Sequence, residues 1–284
     1  MTIRDLGYRP YDGVRLPPAN NTWVMLRHGI TRAWASWWVK LACLFGLGPM
    51  LVFGAWVGFR RLVLEPAVGG QMPALEGEDV LRDLFRWQTW LFVSVISVSA
   101  GASAIAEDIR FKAFQFYFAK AVTPAQYLAG RVLAVSFFVF VVVFVPAMIV
   151  DLALVGTASE EVRLEDLGLI APIFVYSLLI AAVIGAGSVG MSALSGSRAL
   201  TMSAWLLLFI VPHALAALVE AIGDWPWLYL ASFTGLLGTV ADALFKVETE
   251  SELKWYHAAP ILLGIVAAAL GSALYRLRRA EVIT

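Results

Sequence analysis

The chain has 284 residues, of which 60% are hydrophobic and 15% are charged, and its mean hydropathy is +0.78. Soluble domains contain about 45–50% apolar and about 25% charged residues, so this composition excludes an ordinary soluble fold and predicts a protein embedded in lipid. The 21 basic and 21 acidic residues balance, which leaves no basic surplus for nucleic-acid binding, and the single cysteine, Cys43, excludes an internal disulfide or a cysteine-based metal site.

An amphipathic helix is predicted ahead of the first apolar run. Five large apolar residues follow 3-4-4-3 spacing and share one helical stripe: Trp23, Leu26, Ile30, Trp34 and Trp37. Tryptophan on the apolar side and arginine on the polar side are typical of a helix lying in the membrane plane, although a helix packed on other protein would show the same pattern. The first 38 residues have no apolar core of a cleavable signal peptide, so the apolar run that starts at Leu41 is expected to stay as a membrane anchor. Residues 1–38 are predicted to be a cytoplasmic N-terminus with this interfacial helix.

Six uncharged apolar runs are long enough to cross a bilayer as helices, since about 20 residues at 1.5 Å each span the hydrocarbon core. They are residues 41–59, 87–106, 132–150, 167–197, 199–219 and 258–275. The runs are too long for barrel strands of about 9–11 residues and lack their alternation. The sequence therefore predicts an all-α membrane protein in one domain, with the six helices in residues 39–275 and a short tail at 276–284.

Residues 225–241 form a seventh uncharged run that contains Gly235, Gly238 and Pro226. With six spans and a cytoplasmic N-terminus, the cytoplasmic pieces hold 14 of the 21 basic residues and only 5 acids, a surplus that obeys the positive-inside rule. A seventh span would place the basic tail outside. We therefore expect six spans in the inner (plasma) membrane, both termini in the cytoplasm, and residues 225–241 as a helical element at the outer surface.

No motif for catalysis, cofactor binding or metal binding stands out. The glycines Gly185, Gly187 and Gly190 have the spacing of a dinucleotide-binding loop, but they lie inside an apolar span without a preceding strand, so close helix packing is expected instead. The same is expected of Gly54 and Gly58. The chain contains no Walker A sequence, and its three histidines are scattered. Two acids at span ends are expected to be solvated: Asp151 and Glu220.

The segment between spans two and three contains several features that predict a specific local structure. An acidic pair, Glu107-Asp108, ends the span, and an aromatic-rich stretch follows. Thr123-Pro124 then predicts the N-cap and first turn of a new helix, and Gly130-Arg131 leads into span three. An interfacial loop anchored by its aromatic residues would give a similar composition.

This segment resembles the permease subunits of ABC-2 type transporters, and the similarity of architecture covers essentially the whole chain. In that family the cytoplasmic stretch ends in a pattern like Ser-Arg-Pro-Leu-Ser-x-x-x-Tyr-Leu-x-Gly-Lys. Residues 119–131 read Ala-Lys-Ala-Val-Thr-Pro-Ala-Gln-Tyr-Leu-Ala-Gly-Arg and are similar to it. The chain departs from the family in Lys112-Ala113-Phe114, where a small-Thr-Leu step is usual, and in its proline, which is at 124 instead of 121.

The resemblance implies a membrane subunit that binds a separate ATP-binding subunit, pairs with a second copy or a close relative, and exports a substrate. We hypothesise that the ATPase contact lies in the segment between spans two and three, which we call the coupling segment, because among the cytoplasmic pieces it alone offers a capped helix start beside aromatic residues. The contact residues expected are Phe114, Phe118, Lys120, Thr123, Pro124 and Gln126. Glu107 and Arg131 are expected to anchor this segment to its flanking spans.

Two alternatives stay open at this stage. A membrane scaffold or assembly factor that transports nothing would show the same architecture. A secondary carrier is disfavoured, because carriers show charged residues at mid-span and broken helices in matching halves, whereas these spans are nearly bare and no internal repeat is visible.

Overall fold

The computed structural model describes residues 20–69, 75–118, 122–223, 225–247 and 252–282. The regular structure in these residues is entirely helical. The helices are α1 (Asn20–Ala35), α2 (Trp37–Val68), α3 (Gly77–Arg110), α4 (Phe114–Phe118), α5 (Pro124–Thr157), α6 (Glu160–Gly168), α7 (Ile170–Ser192), α8 (Arg198–Glu220), α9 (Phe233–Leu244) and α10 (Trp255–Val282).

Six of the helices are long and apolar enough to cross a membrane: α2, α3, α5, α7 together with the end of α6, α8 and α10. Five of them contain a predicted apolar run completely, and the fourth overlaps the run 167–197 up to Ser192, so the predicted number of helices able to span a membrane is confirmed. The 31-residue run is divided, because α6 ends at Gly168 and only Ile170–Ser192 continues as the long helix. The all-helical fold class is confirmed as well.

Residues 225–241 do not form a seventh span. They fold into a 3₁₀ turn over Pro226–Ala231 and the first part of α9, which has 12 residues. A helix of 12 residues is about 18 Å long, too short to cross the hydrocarbon core. The prediction of a separate short helical element is therefore confirmed.

Helices α5 and α7 lie at the centre of the bundle, and the glycines of α7 allow its neighbours to approach. A Cβ atom at Gly187 would lie 2.8 Å from the Trp205 ring of α8, and one at Gly190 would lie 2.7 Å from Ala269 of α10. A Cβ atom at Gly185 would overlap Ser136 of α5. The glycine motif thus serves packing, as predicted. Gly54 and Gly58 differ, because nothing in the described chain lies within 4 Å of a Cβ added there.

Helix α3 is irregular along its length. It contains π-helical turns at Thr89–Val93 and Ser97–Gly101, and its path turns at residues 102–105. The hydroxyl of Ser192, on α7, accepts hydrogen bonds from the backbone N–H groups of Ile105 and Ala106 at 2.8 and 2.9 Å. This contact supplies partners for donors that the break leaves without helical acceptors, and it directs residues 106–110 towards the ends of α1, α5 and α8.

A buried ion pair lies at the other end of the bundle. Arg61 of α2 donates to Asp166 at 3.0 Å and to the carbonyl of Leu154 at 2.5 Å. Asp151, one turn before Leu154, is fully buried, and neither of its carboxylate oxygens has a hydrogen-bond partner among the described residues. The expected solvated boundary is therefore wrong for Asp151, because α5 continues to Thr157 and carries this residue inside the bundle.

Candidate functional site

Helix α1 packs on α5 through its small residues. Its buried residues are Met25, Gly29 and Ala33. A Cβ atom at Gly29 would lie 2.6 Å from the Cβ of Ala134, and one at Gly130 would lie 2.5 Å from the Cβ of Met25. The two helices therefore cross at van der Waals contact of their backbones, which only glycine permits on both sides.

The predicted apolar stripe of α1 is only partly exposed, because Ile30 packs against the core and Leu26 is half-buried, whereas its tryptophans are exposed. Trp23 is 65% exposed, and Trp34 is also exposed although its ring stacks on Phe138 at 5.9 Å. Trp37 was predicted to share this helix, but α1 ends at Ala35 and Trp37 begins α2. Met25, Gly29 and Ala33 of α1 thus pack on α5, whereas Trp23 and Trp34 remain exposed.

Asp108, in the last turn of α3, lies where three helices meet. Its Oδ2 accepts a hydrogen bond from the Tyr127 hydroxyl at 2.5 Å and another from Nη2 of Arg131 at 2.5 Å. Its Oδ1 accepts from Nη1 of Arg32 at 2.8 Å. A buried carboxylate is tolerated when its oxygens are satisfied by charged donors, and here α1 and α5 provide them.

Glu107 extends the contact to a fourth helix. One carboxylate oxygen accepts from Nη2 of Arg32, and the other accepts from Nη1 of Arg198 at 2.8 Å. Burial opposes the positive charge of Arg32, but its hydrogen bonds to Asp108 and Glu107 outweigh that effect and raise its pKa above the ordinary value. We call these residues the charge network: Arg32, Glu107, Asp108, Tyr127, Arg131 and Arg198.

The charge network joins α1, the end of α3, the start of α5 and the start of α8. It contains three guanidinium groups and two carboxylates, and it borders a cavity of about 200 Å³ lined also by Ser36, Ser99 and Ser103. The described residues contain no group of three or more potential metal ligands. What the arrangement provides is an electrostatic connection between four helices.

The aromatic residues of α4 divide into an inner and an outer set. Phe114 is buried and meets the Tyr127 ring edge-on at 5.5 Å, and Phe118 stacks on Phe114 at 5.6 Å. Phe111 and Phe116 are 70% and 72% exposed. Phe114 therefore fixes α4 to α5 and does not present its ring at the surface, where the sequence hypothesis placed it.

The predicted start of α5 is confirmed. Thr123 is the N-cap, Pro124 is in the first turn, and the two side chains of a capping box are present. The backbone N–H of Gln126 donates to the Thr123 hydroxyl at 3.3 Å, and the side-chain oxygen of Gln126 accepts from the Thr123 N–H at 3.1 Å. Lys120, the remaining predicted contact residue, lies outside the described residues.

The two predicted anchors, Glu107 and Arg131, both belong to the charge network, but they do not pair with each other. Arg131 binds Asp108, and Glu107 binds Arg32 and Arg198. The sequence predicted no partner for four other members of the network: Arg32, Asp108, Tyr127 and Arg198. A signal was present, since an acidic pair at the end of a span among many basic residues requires partners.

No family model matches the chain, and no curated protein sequence is significantly similar to it.

Proposed function

We propose that the chain is the permease subunit of an ABC-2 type exporter, energised by a separate ATP-binding subunit that docks on the coupling segment. The observation that carries the proposal is the position of α4 and the capped start of α5 directly beneath the charge network. The resemblance of residues 119–131 to the family pattern supports the same reading. The network end of the bundle is then cytoplasmic, and both termini lie on that side of the plasma membrane.

The contacts of α4 give a route for a mechanical push. A displacement of α4 acts on α5 through the contact between Phe114 and Tyr127, and the Tyr127 hydroxyl is bonded to Asp108 of α3. Because α1 and α8 are tied to the same acidic pair, concerted movement of the four helices keeps all of these ion pairs intact. The Arg131–Asp108 pair is buried, and breaking such a pair costs about 3–5 kcal/mol, whereas the partly exposed Arg198–Glu107 pair contributes about 1 kcal/mol or less.

The exposed aromatic residues define the proposed docking surface. Phe116 and Phe111 take the place of Phe114 as ring contacts with the ATPase, while Phe118, Thr123 and Gln126 stay at its edge. Aromatic residues that become fully desolvated at an interface commonly dominate its binding energy. Phe114 retains a role in the proposal as the residue that holds α4 against Tyr127.

The proposal also assigns a membrane position to α1 and a subunit number to the permease. The aromatic face of α1 lies in the inner interface of the membrane, where tryptophan side chains are favoured. Two copies of this chain, or one copy and a close relative, form the complete permease.

Site-specific photo-crosslinking tests this function in native membranes. A benzoylphenylalanine at position 116 is expected to form an adduct with a protein that contains a Walker A sequence, identified by mass spectrometry. The matched control is the same group at Leu164 of α6, which is 76% exposed at the other end of the bundle and should give no such adduct. An adduct at 116 with a protein that lacks a nucleotide-binding motif would contradict the proposal and favour the scaffold alternative.

A further inference from the structure

A cavity of about 420 Å³ lies at the end of the bundle opposite the charge network. It is enclosed by the first turns of α3, the end of α8 and the region of α9. Small-molecule sites have volumes of about 300–1,000 Å³, so the cavity is large enough for a ligand. The proposed coupling to an ATPase makes no use of it.

The charges of this cavity are only partly matched. Arg82 Nε lies 2.5 Å from Asp242 Oδ1, which pairs the first arginine. Arg86, one turn further along α3, forms no side-chain hydrogen bond or ion pair with the described residues. Glu220 accepts a hydrogen bond at 2.5 Å from the hydroxyl of Tyr229 and has no cationic partner in the described chain. The cavity therefore presents one available cation and one available anion.

His213 and Tyr229 hold the wall between these charges in place. The His213 ring lies between Trp90 and Tyr229, with ring centroids 4.8 and 5.5 Å away, and its Nδ1 is 2.8 Å from the Thr234 hydroxyl. Burial and the hydrogen bond to Glu220 raise the pKa of Tyr229 to about 12, so its hydroxyl stays protonated at neutral pH. The site is thus built before any ligand arrives.

Tryptophan residues mark the rim of the cavity. Trp87 lines an adjoining cavity together with Arg86 and Trp90, and Trp225 and Trp227 are exposed beside the first cavity. Tryptophan is enriched where the membrane meets water, because its ring is amphipathic. Arg86 lines both cavities, beside tryptophans of the kind that occupy the membrane interface.

We propose that this cavity binds the headgroup of a zwitterionic phospholipid, with the phosphate on Arg86 and the ammonium group at Glu220. The guanidinium fork of arginine matches phosphate oxygens, and a carboxylate accepts hydrogen bonds from an ammonium group. A ligand without net charge preserves the balance of Arg82, Arg86, Asp242 and Glu220, whereas an anionic lipid would meet the field of the two acids. This site is independent of the proposed ATP-driven function.

Lipid binding to the full-length chain in detergent tests the site by native mass spectrometry. The probes are phosphatidylethanolamine, the anionic lipid phosphatidylglycerol, and soluble glycerophosphoethanolamine as a competitor. Wild-type protein should retain phosphatidylethanolamine in preference, and Arg86→Gln should weaken that binding about tenfold, the loss expected for one charge-assisted hydrogen bond. Glu220→Gln should remove the preference between the two lipids. Competition by the soluble headgroup would show that free headgroup compounds also bind the site, whereas binding that resists it but requires Arg86 identifies the intact lipid.

Matched controls are Arg163→Gln and Glu165→Gln on α6, which are exposed and lie outside the cavity. They should bind lipid as the wild type does. If Arg86→Gln fails to fold, Arg86→Lys keeps the charge without the fork and should show a severalfold loss. Equal binding of both lipids by the wild type, or identical binding by the Arg86→Gln and Arg163→Gln variants, would overturn the proposal without affecting the ATPase assignment.

Discussion

Arg131 and Asp108 form an ion pair inside the bundle: Nη2 of Arg131 lies 2.5 Å from Oδ2 of Asp108, and the two side chains are only 2% and 6% exposed. Asp108 is the counter-charge of the buried Arg131, and Asp108 is itself also bonded to Arg32 and Tyr127. The pair joins the last turn of α3 to the second turn of α5, on either side of the coupling segment.

The first prediction concerns this pair. Asp108→Asn should lower the free energy of unfolding by about 3–5 kcal/mol, because it leaves the guanidinium of Arg131 buried without a counter-charge. The double variant Asp108→Asn/Arg131→Met should recover much of that loss, since it removes both charges. Unfolding in detergent of the wild type, Asp108→Asn, Arg131→Met and the double variant completes a double-mutant cycle, which measures the coupling. Additive single and double effects would show that the two residues do not depend on each other.

The second prediction concerns the crossing of α1 and α5. Gly130→Ala places a methyl group 2.5 Å from the Cβ of Met25, so α1 should be displaced at a cost of about 1–3 kcal/mol. Gly264→Ala is the control, because nothing lies within 4 Å of a Cβ atom there. It should be neutral or slightly stabilising, since alanine favours a helix over glycine. Limited proteolysis around residue 35 reports whether α1 stays docked, and equal protection in both variants would contradict the crossing.

The third prediction separates two buried acids at the other end of the bundle. Asp166→Asn should destabilise the protein by about 3–5 kcal/mol, because it leaves Arg61 unpaired. Asp151→Asn should instead stabilise it by about 1–3 kcal/mol, because no hydrogen bond among the described residues compensates the burial of this carboxyl. Thermal unfolding of the two variants side by side decides the matter, and a loss of stability in Asp151→Asn would reveal an additional partner for that acid.

Sequence patterns were sufficient for the local features of this fold. The six long helices follow from the lengths of the apolar runs, and the start of α5 follows from Thr123-Pro124, because both depend on neighbouring residues. The charge network depends on distant ones. Glu107 is 75 residues from Arg32 and 91 from Arg198, and a charge count along the chain cannot pair them.

The sequence also did not predict which side chains of α1 and α4 are buried and which are exposed. The tryptophan stripe of α1 was visible, but the neighbouring residues Met25, Gly29 and Ala33 are the ones that are buried on α5, because helices in lipid associate through close backbone approach. The run of aromatic residues in α4 has no clear periodicity, so the burial of Phe114 and the exposure of Phe116 are set by the position of Tyr127.

The fourth prediction tests the orientation of the bundle with cysteines at the two ends of one helix. In a Cys43→Ser background, Ser159→Cys just beyond α5 should react with a membrane-impermeant maleimide in intact cells. Ala125→Cys at the start of α5 should react only after permeabilisation; both positions are exposed. The expectation rests on the positive-inside rule applied to the basic network end. The reverse labelling pattern would place the coupling segment outside the cell.

The measurement that tests the central claim most directly is ATP hydrolysis by the complex purified through this chain from its native membrane in mild detergent. We predict that the preparation contains a Walker-motif subunit and two permease chains by native mass measurement, and that it hydrolyses ATP. Phe116→Ala should reduce the retained ATPase at least tenfold, because truncation of a desolvated aromatic contact costs about 2 kcal/mol, whereas the control Leu164→Ala should retain it fully. Purification of the chain without any nucleotide-binding partner, or ATP hydrolysis by the isolated chain itself, would contradict the account.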